Sequence, residues 1–178
     1  HLAEALDAML GRGTALSVGV SNWRADRAIQ ARGLLGPRFV ASSLQFSIVQ
    51  PVSPTWPGTR SASLAEIDIL GAANLDLISW SPLARGWVPK PDKVSSDIRV
   101  AFRSQHNRRV LEECDLIGVE VGLSRSEVAL AGLLGFGAHI RPVVGVSQPD
   151  EGYSLGRVSP FVSQGGGDLV PQMLRGWS

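Results

Sequence analysis

This sequence has a single cysteine, no long apolar run and almost no net charge. The single cysteine, Cys114, rules out an internal disulfide framework and a zinc site built from several cysteines, and it is compatible with a reducing compartment. No apolar run approaches the roughly 18 to 20 residues that cross a bilayer. The N-terminus also has no basic region leading into a hydrophobic stretch. We therefore expect a cytoplasmic protein without a membrane segment and without a metal site.

The charge balance excludes another class of function. The formal net charge is +1, and the lysines and arginines are scattered rather than gathered into a block, so the basic footprint of a nucleic-acid-binding protein is missing. With 44% hydrophobic residues in 178, the chain can bury the core of one ordinary domain. Because it begins at His1 and enters a helical pattern at once, we expect a piece of a longer protein.

The pattern of apolar residues predicts strands that alternate with helices. The predicted strands are 15–20, 39–46, 75–80 and 142–146, and the predicted helices are 2–10, 24–35, 63–73, 105–121 and 124–134. Such alternation indicates βα units and a parallel sheet. Four strand–helix steps are half of an eight-stranded barrel, which typically takes about 250 residues. The predicted fold class is α/β, a partial (β/α)8 barrel.

The end of the chain differs in composition from the rest. From residue 152 to 178 it is rich in glycine and serine, shows no sustained period and has only three charged residues, Arg157, Asp168 and Arg175. This composition favours an irregular tail. We therefore predict a barrel-like domain over 1–151 and a tail over 152–178.

Polar and aromatic residues follow the predicted strands, where function collects in a parallel α/β sheet. Ser21, Asn22 and Gln45 offer hydroxyl and amide groups that can donate to and accept from a planar carboxamide. Trp80 offers a flat apolar face for an aromatic ring. The loop around Gly86 is suited to directing backbone N–H groups at a phosphate. Together these residues indicate a site for a nicotinamide dinucleotide.

Each of these residues also has a simpler interpretation. Ser21 and Asn22 are suited to capping the next helix. Trp80 is suited to core packing, and Gln45 to the role of a buried amide with all its hydrogen bonds made. Gly145 is suited to a tight turn. The residues alone leave these alternatives open.

Five blocks of sequence resemble the aldo-keto reductase family and occur in the family's order. They are Val18-Gly19-Val20-Ser21-Asn22-Trp23, Leu44-Gln45-Phe46-Ser47, Ile78-Ser79-Trp80-Ser81-Pro82-Leu83-Ala84-Arg85-Gly86, Glu127-Val128-Ala129-Leu130-Ala131, and the segment from Pro142 to Pro149. The resemblance covers roughly residues 2 to 151. This part of the chain is similar to the second half of the family's barrel, which contains strands five to eight with their helices.

The resemblance implies an NADP(H)-dependent carbonyl reductase, with NAD(H) not excluded. In such a protein Ser21, Asn22 and Gln45 would hold the carboxamide, and Trp80 would stack on the nicotinamide. The pyrophosphate would lie on the segment Ser81, Pro82, Leu83, Ala84, Arg85 and Gly86, with Lys90 approaching it. Gly145, Ser147 and Glu151 would lie near the adenosine phosphate. A tryptophan at the stacking position resembles the branch that contains potassium-channel beta subunits and many bacterial reductases.

The resemblance also implies that catalytic residues are missing. The family's catalytic Asp, Tyr, Lys and His come from the first four strands, which this chain does not contain, and its single tyrosine, Tyr153, lies in the predicted tail. One hypothesis is a fragment, inactive alone, of an enzyme that reduces a small carbonyl substrate. The other is a truncated remnant or a non-catalytic cofactor-binding or regulatory module, self-associating through exposed sheet edges.

Overall fold

A computed structural model of the protein describes residues 2–165. The helices are α1 (Leu2–Gly11), α2 (Ala25–Leu35), α3 (Leu64–Ala72), α4 (Ser96–Phe102), α5 (Gln105–Val121), α6 (Arg125–Gly135), α7 (Pro149–Gly156) and α8 (Val158–Ser163), and the strands are β1 (Val18–Ser21), β2 (Phe39–Gln45), β3 (Asp76–Trp80) and β4 (Ile140–Val143). Short 3-10 turns cover Gly36–Arg38 and Ala84–Gly86. No helix in this part of the chain combines the length and apolar character needed to cross a membrane.

The four strands form one parallel sheet in the order β1-β2-β3-β4. This confirms the predicted parallel α/β arrangement. Gln45 is paired with Trp80, and Trp80 with Val143, so the carboxyl ends of the strands lie side by side. The residues that follow the strands therefore meet at one edge of the sheet.

The helices cover one face of the sheet. Leu77 and Ser79 on β3 are fully buried under this layer, whereas Ile78 and Trp80 on the opposite face stay partly exposed. Side chains alternate between the two faces because a strand has a period of two residues. Trp80 and its register partner Gln45 thus lie on the face that the helices leave uncovered.

Asn107 fixes the segment that follows β2 to the start of α5. Its side chain is buried, donates to the carbonyl oxygens of Gln50 and Phe102 at 2.7 Å each, and accepts from the Gln50 N–H at 3.0 Å. A buried amide whose hydrogen bonds are all made holds its neighbours in one arrangement. The loop after β2 is therefore anchored to a helix 57 positions further along the chain.

Capping residues set the ends of the two central helices. Ser104 accepts from the Asn107 N–H at the start of α5, which ends at Gly122 with a left-handed φ of 70°. Ser124 and Glu127 form the predicted capping box of α6. Gly118 lies near the end of α5, where a Cβ would be 2.5 Å from the carbonyl oxygen of Leu123. Helix α5 can therefore approach the turn at Leu123 this closely only because Gly118 has no side chain.

We expect Gly118→Ala to lower the free energy of unfolding by about 1–3 kcal/mol, since an added methyl group has no room. Gly33→Ala is the matched control, because Gly33 also lies in a helix and a Cβ there meets no atom within 4 Å. That change should raise stability by about 0.5–1 kcal/mol through helix propensity. Urea unfolding of both variants measures the difference. Equal midpoints would contradict the close approach at Gly118.

Two predicted strands differ from the structure, and one helix was not predicted. The first strand was expected over 15–20 but is Val18–Ser21. The fourth strand was expected over 142–146 but is Ile140–Val143, because Ile140 is buried beside Leu77 and pairing with β3 ends at Val143. Helix α4 was missed, since it is short and follows a proline-rich loop. Its only sequence signal is the helical spacing of Ile98, Ala101 and Phe102, which are buried.

The predicted irregular tail is wrong for its first part. Helices α7 and α8 cover this segment up to Ser163. Pro149 stands in the first turn of α7 with two acidic residues, an arrangement that favours a helix start. Val158 is buried against Leu130 and Ala131 of α6, which gives α8 its packing surface. The rest of the predicted tail, from residue 166, lies outside the described residues.

Candidate cofactor-binding site

Ser21 and Asn22 lie at the end of β1 and extend its pairing. The Asn22 N–H donates to the Ser43 carbonyl at 2.9 Å, and Asn22 has a left-handed φ of 58°. Its side-chain N–H donates to Ser21 Oγ at 3.3 Å. The N-cap of α2 is Arg24, whose side chain makes no capping hydrogen bond, and the first N–H of the helix, that of Ala25, donates to Glu66 at 3.2 Å. The helix-capping alternative for Ser21 and Asn22 is therefore wrong.

Gln45, at the end of β2, has a buried amide with one hydrogen bond missing. Its side chain is 1% exposed; Oε1 accepts from Ser61 Oγ, while Nε2 has no hydrogen-bond partner within residues 2–165. If the amide were rotated by half a turn, the oxygen would instead lack a partner. A buried polar atom without a partner costs about 1–3 kcal/mol. The satisfied-amide alternative is wrong, and a polar group of a ligand would remove this cost.

Trp80, at the end of β3, is only partly exposed and has a second tryptophan beside it. The ring centroids of Trp56 and Trp80 are 5.5 Å apart with planes tilted by 43°. The Arg85 guanidinium lies 4.0 Å from the centroid of the Trp56 ring. Trp56 was not predicted as a site residue, and its only signal in the sequence is an aromatic residue in a proline-rich loop. Trp80 is partly exposed and so is not fully enclosed in the core, while its contact with a nicotinamide stays a prediction.

The loop after Trp80 has an unusual backbone. Ser81, Ala84 and Arg85 have left-handed φ angles of 51°, 52° and 56°, and Gly86 has 89°. Non-glycine residues rarely adopt such angles, and they cluster at functional sites. The N–H groups of Ala84 and Gly86 donate within the loop, to Ser81 and Leu83. Two N–H groups of the loop are thus already used within it, and the expectation that the loop around Gly86 directs backbone N–H groups at a phosphate stays a prediction.

An open cavity of about 890 Å³ separates this loop from the segment after β4. Eight predicted site residues line it: Ser81, Pro82, Leu83, Arg85, Gly86, Gly145, Ser147 and Glu151. Lys90 and Lys93 add two cationic side chains. Ala84 is fully buried below the loop. Ser21, Asn22, Gln45 and Trp80 do not line this cavity, which begins at Ser81 next to Trp80.

Glu151 faces the cavity and caps its own helix. Its carboxylate accepts from the N–H of Ser147 at 2.6 Å and of Gln148 at 3.3 Å. These two hydrogen bonds, together with the charge of Lys90, hold the pKa of Glu151 below its usual value although burial opposes them. Glu151 is therefore an anion at neutral pH. The tight-turn alternative for Gly145 finds no support, because its φ is not left-handed and a Cβ there would meet open space.

An ion pair between Arg157 and Glu127 holds α7, which carries Glu151, in place beside the cavity. Arg157 donates to the two carboxylate oxygens of Glu127 at 2.8 and 3.0 Å; the Glu127 side chain is fully buried, and that of Arg157 is 57% exposed. Burial alone would raise the pKa of Glu127, but hydrogen bonds from Ser124 and the charge of Arg157 outweigh it and lower the pKa. The pair joins α6 to the junction of α7 and α8. No local pattern in the sequence indicated it.

Known proteins of similar fold include two solved structures. One is a candidate 2,5-diketo-D-gluconic acid reductase B, with 13% sequence identity and a TM-score of 0.63 over 88% of this chain and 44% of that chain. The other is the apo form of Gox0644, with 15% identity and a TM-score of 0.59 over 87% of this chain and 45% of that chain. The chain thus spans less than half the length of these structures, and the likeness confirms the partial (β/α)8 barrel.

Sequence comparison gives the family. No curated protein sequence matches the chain. The model of the aldo/keto reductase family, however, matches residues 1–154. This range contains every block that carried the resemblance, from Val18 to Pro149. The chain belongs to the aldo/keto reductase family.

Proposed function

We propose that this chain forms the cofactor-binding part of a carbonyl reductase of this family. The cofactor is a nicotinamide dinucleotide, NADP(H) or NAD(H), and the substrate of the complete protein is a small aldehyde or ketone. The proposed compartment is the cytoplasm. The observation that carries the proposal is the buried amide of Gln45, whose Nε2 has no partner within the described residues and which lies beside Trp80 at the strand ends.

The residues present fit the cofactor at three points. A carboxamide can accept from Gln45 Nε2 and can exchange hydrogen bonds with the side chains of Ser21 and Asn22. The partly exposed ring of Trp80 offers a surface for the flat nicotinamide. The cavity that begins at Ser81 has room for the rest of the molecule, with Lys90 and Lys93 supplying positive charge for a pyrophosphate.

Trp56 sets a condition on this arrangement. Two stacked aromatic rings lie roughly 3.5 Å apart, so a third ring does not fit between indoles whose centroids are 5.5 Å apart. The nicotinamide must therefore use the other part of the Trp80 face, or the loop that carries Trp56 must shift.

The dinucleotide, when bound, supplies the hydride for the carbonyl carbon. This chain's contribution is to orient the carboxamide through Ser21, Asn22 and Gln45 and to keep water from one face of the ring through Trp80. The alkoxide that hydride transfer leaves must take a proton. We propose that the proton donor belongs to the part of the complete protein that this chain does not include.

A leucine at position 45 tests the proposal. We expect Gln45→Leu to weaken the binding of NADPH and NADH by about two- to tenfold, because one hydrogen bond in a dry site is worth about 0.5–1.5 kcal/mol. The same change should alter the free energy of unfolding little, since the loss of the Ser61 hydrogen bond is offset by the removal of the unpartnered Nε2. Quenching of tryptophan fluorescence measures binding, and urea unfolding measures stability.

Gln30→Leu is the matched control, since Gln30 is exposed on α2. It should bind both dinucleotides like the wild type. The proposal fails if the wild type binds neither dinucleotide, and equal binding by Gln45→Leu and Gln30→Leu would reject the proposed contact of Gln45 with the carboxamide.

A second candidate is a non-catalytic module that binds the same cofactor and self-associates. The sheet order favours it, because β1 and β4 are edge strands that each pair on one side only within residues 2–165. Parallel edge strands present unpaired N–H and C=O groups that a second chain can meet. This candidate uses the same cofactor site.

A further inference from the structure

We propose that Glu151 determines which dinucleotide the site prefers, by disfavouring a phosphate on the adenosine ribose. The site would then bind NAD(H) more tightly than NADP(H), although the family resemblance implies NADP(H). This inference rests on the proposed function, because it requires a dinucleotide in the cavity.

The position of the adenosine half of the dinucleotide follows from the proposed nicotinamide position and from the direction in which the cavity extends. The unpartnered amide of Gln45 and the ring of Trp80 place the nicotinamide at the ends of β2 and β3. The cavity starts at Ser81, directly after Trp80, and extends to the segment after β4 that includes Ser147 and Glu151. A dinucleotide that begins at Trp80 and follows the cavity therefore brings its adenosine half towards Glu151.

Glu151 already occupies two backbone donors beside the start of α7. The N–H groups of Ser147 and of the N-cap residue Gln148 both donate to the Glu151 carboxylate, at 2.6 and 3.3 Å. Such N–H groups otherwise form a ready site for an anion. In this chain the anion at that site is a side chain of the protein itself.

The charges at this end of the cavity act in the same direction. A phosphate monoester carries about −1.5 to −2 charges at pH 7, so it is repelled by an ionised carboxylate. An unphosphorylated ribose has hydroxyl groups, and a carboxylate accepts hydrogen bonds from these groups; this is how acidic residues select NAD in other dinucleotide sites.

The two lysines of the cavity do not reverse this preference. The charge of Lys90 acts on Glu151, so part of its field is already balanced by that carboxylate. Lys90 and Lys93 lie on the segment that follows the Ser81–Gly86 loop, where the pyrophosphate is proposed to bind. The pyrophosphate is common to both dinucleotides, so attraction to it does not discriminate between them.

The test compares NADH and NADPH binding to the purified chain by tryptophan fluorescence. We expect the wild type to bind NADH about tenfold more tightly than NADPH, since the Glu151 carboxylate repels the extra phosphate and accepts from the ribose hydroxyls. Glu151→Gln keeps the oxygen that accepts from Ser147 but removes the charge, so the preference should fall to about twofold or less. Glu120→Gln is the matched control, because Glu120 is exposed on α5 and does not line the cavity. It should keep the wild-type ratio.

The inference is overturned if the wild type binds NADPH as tightly as NADH, or if Glu151→Gln keeps the wild-type ratio. Either result leaves the proposed function standing, because both dinucleotides still bind. Failure of the wild type to bind either dinucleotide overturns both proposals. Binding of both dinucleotides by Gln45→Leu with unchanged affinity, but with the expected ratio in Glu151→Gln, would reject the proposed nicotinamide contact alone.

Discussion

The purified chain should oxidise neither NADPH nor NADH when an aldehyde or a ketone is added. Hydride transfer to a carbonyl carbon leaves negative charge on the oxygen, and a positioned proton donor typically speeds such a step by about 10²- to 10⁴-fold. The residues around Trp80 can hold and orient a ring. None of the groups that we place there, Ser21, Asn22, Gln45 and Trp56, is an acid that gives up its proton at neutral pH.

Three groups elsewhere in the described chain, Tyr153, Cys114 and His139, do not lie where a proton donor is needed. Tyr153 is 78% exposed on α7 and does not line the cavity. Cys114 is fully buried in the core, and desolvation raises the pKa of its thiol to about 12. The His139 ring lies against Gly71, and its Nε2 is 3.2 Å from the Ile67 carbonyl oxygen. That carbonyl belongs to α3, on the helical side of the sheet.

Loss of the nicotinamide absorbance under steady-state conditions measures this prediction. The same preparation must bind the dinucleotide by fluorescence, so that inactivity is not confused with unfolding. Steady consumption of cofactor that depends on the carbonyl compound would show that the chain contains its own proton donor. Tyr153→Phe would then be the first variant to compare, since the sequence has no other tyrosine.

Arg157→Met should lower the free energy of unfolding by about 2 kcal/mol. Breaking a buried ion pair by removing one partner typically costs about 3–5 kcal/mol, because the remaining charge is left without compensation. We expect less here because the Arg157 side chain is 57% exposed, and exposed partners are screened by water. The same change should weaken NADH binding, since α7 carries Glu151, which is proposed to accept hydrogen bonds from the ribose hydroxyls.

The effect of pH on this pair has a definite sign. The folded-state pKa of Glu127 is lowered from 4.5, so its contribution to stability is fully present above that value and is lost as the pH falls through the lower, folded-state pKa. Without Arg157, fewer contacts favour the charged form of Glu127 against the effect of burial, so the folded-state pKa of Glu127 rises. The variant should therefore lose less stability than the wild type as the pH falls below 4.5, because the gap between the unfolded and folded pKa of Glu127 is smaller.

Urea unfolding across the acidic range measures both effects. Arg108→Met is the matched control, because Arg108 is exposed on α5. Adding Glu127→Gln to Arg157→Met should restore part of the lost stability, since no buried charge then remains. If Arg157→Met unfolds like Arg108→Met, the ion pair does not hold α7 and α8 on α6.

Local sequence was sufficient to predict the sheet and the residues at its carboxyl edge. Strands and most helices follow from apolar spacing and caps, as at Ser124, whose capping box has its two members only three positions apart. Gln45 and Trp80 were predictable because any residue at the end of a parallel strand lies at the functional edge. Helix α4 has the same kind of signal, but seven residues are too few to separate it from a loop.

Contacts between distant parts of the chain could not be predicted in the same way. Ser61 reaches Gln45 across 16 positions, and Arg157 reaches Glu127 across 30. These partners are chosen by how helices and loops pack, which no local period encodes. Glu151 is a different case. Its proposed position near the adenosine end comes from the resemblance, whereas its bond to the Ser147 N–H depends on a helix that the glycine-rich composition argued against.

The order of the strands has a consequence for how the chain is made. In a β1-β2-β3-β4 sheet every strand pairs with the strand that precedes it in the sequence. A ribosome releases these strands in the same order, so each new βα unit can add to an edge that already exists, and no strand must be inserted between two others. Gene duplication or fusion can lengthen such a sheet from either end by whole units, without changing any pair already formed.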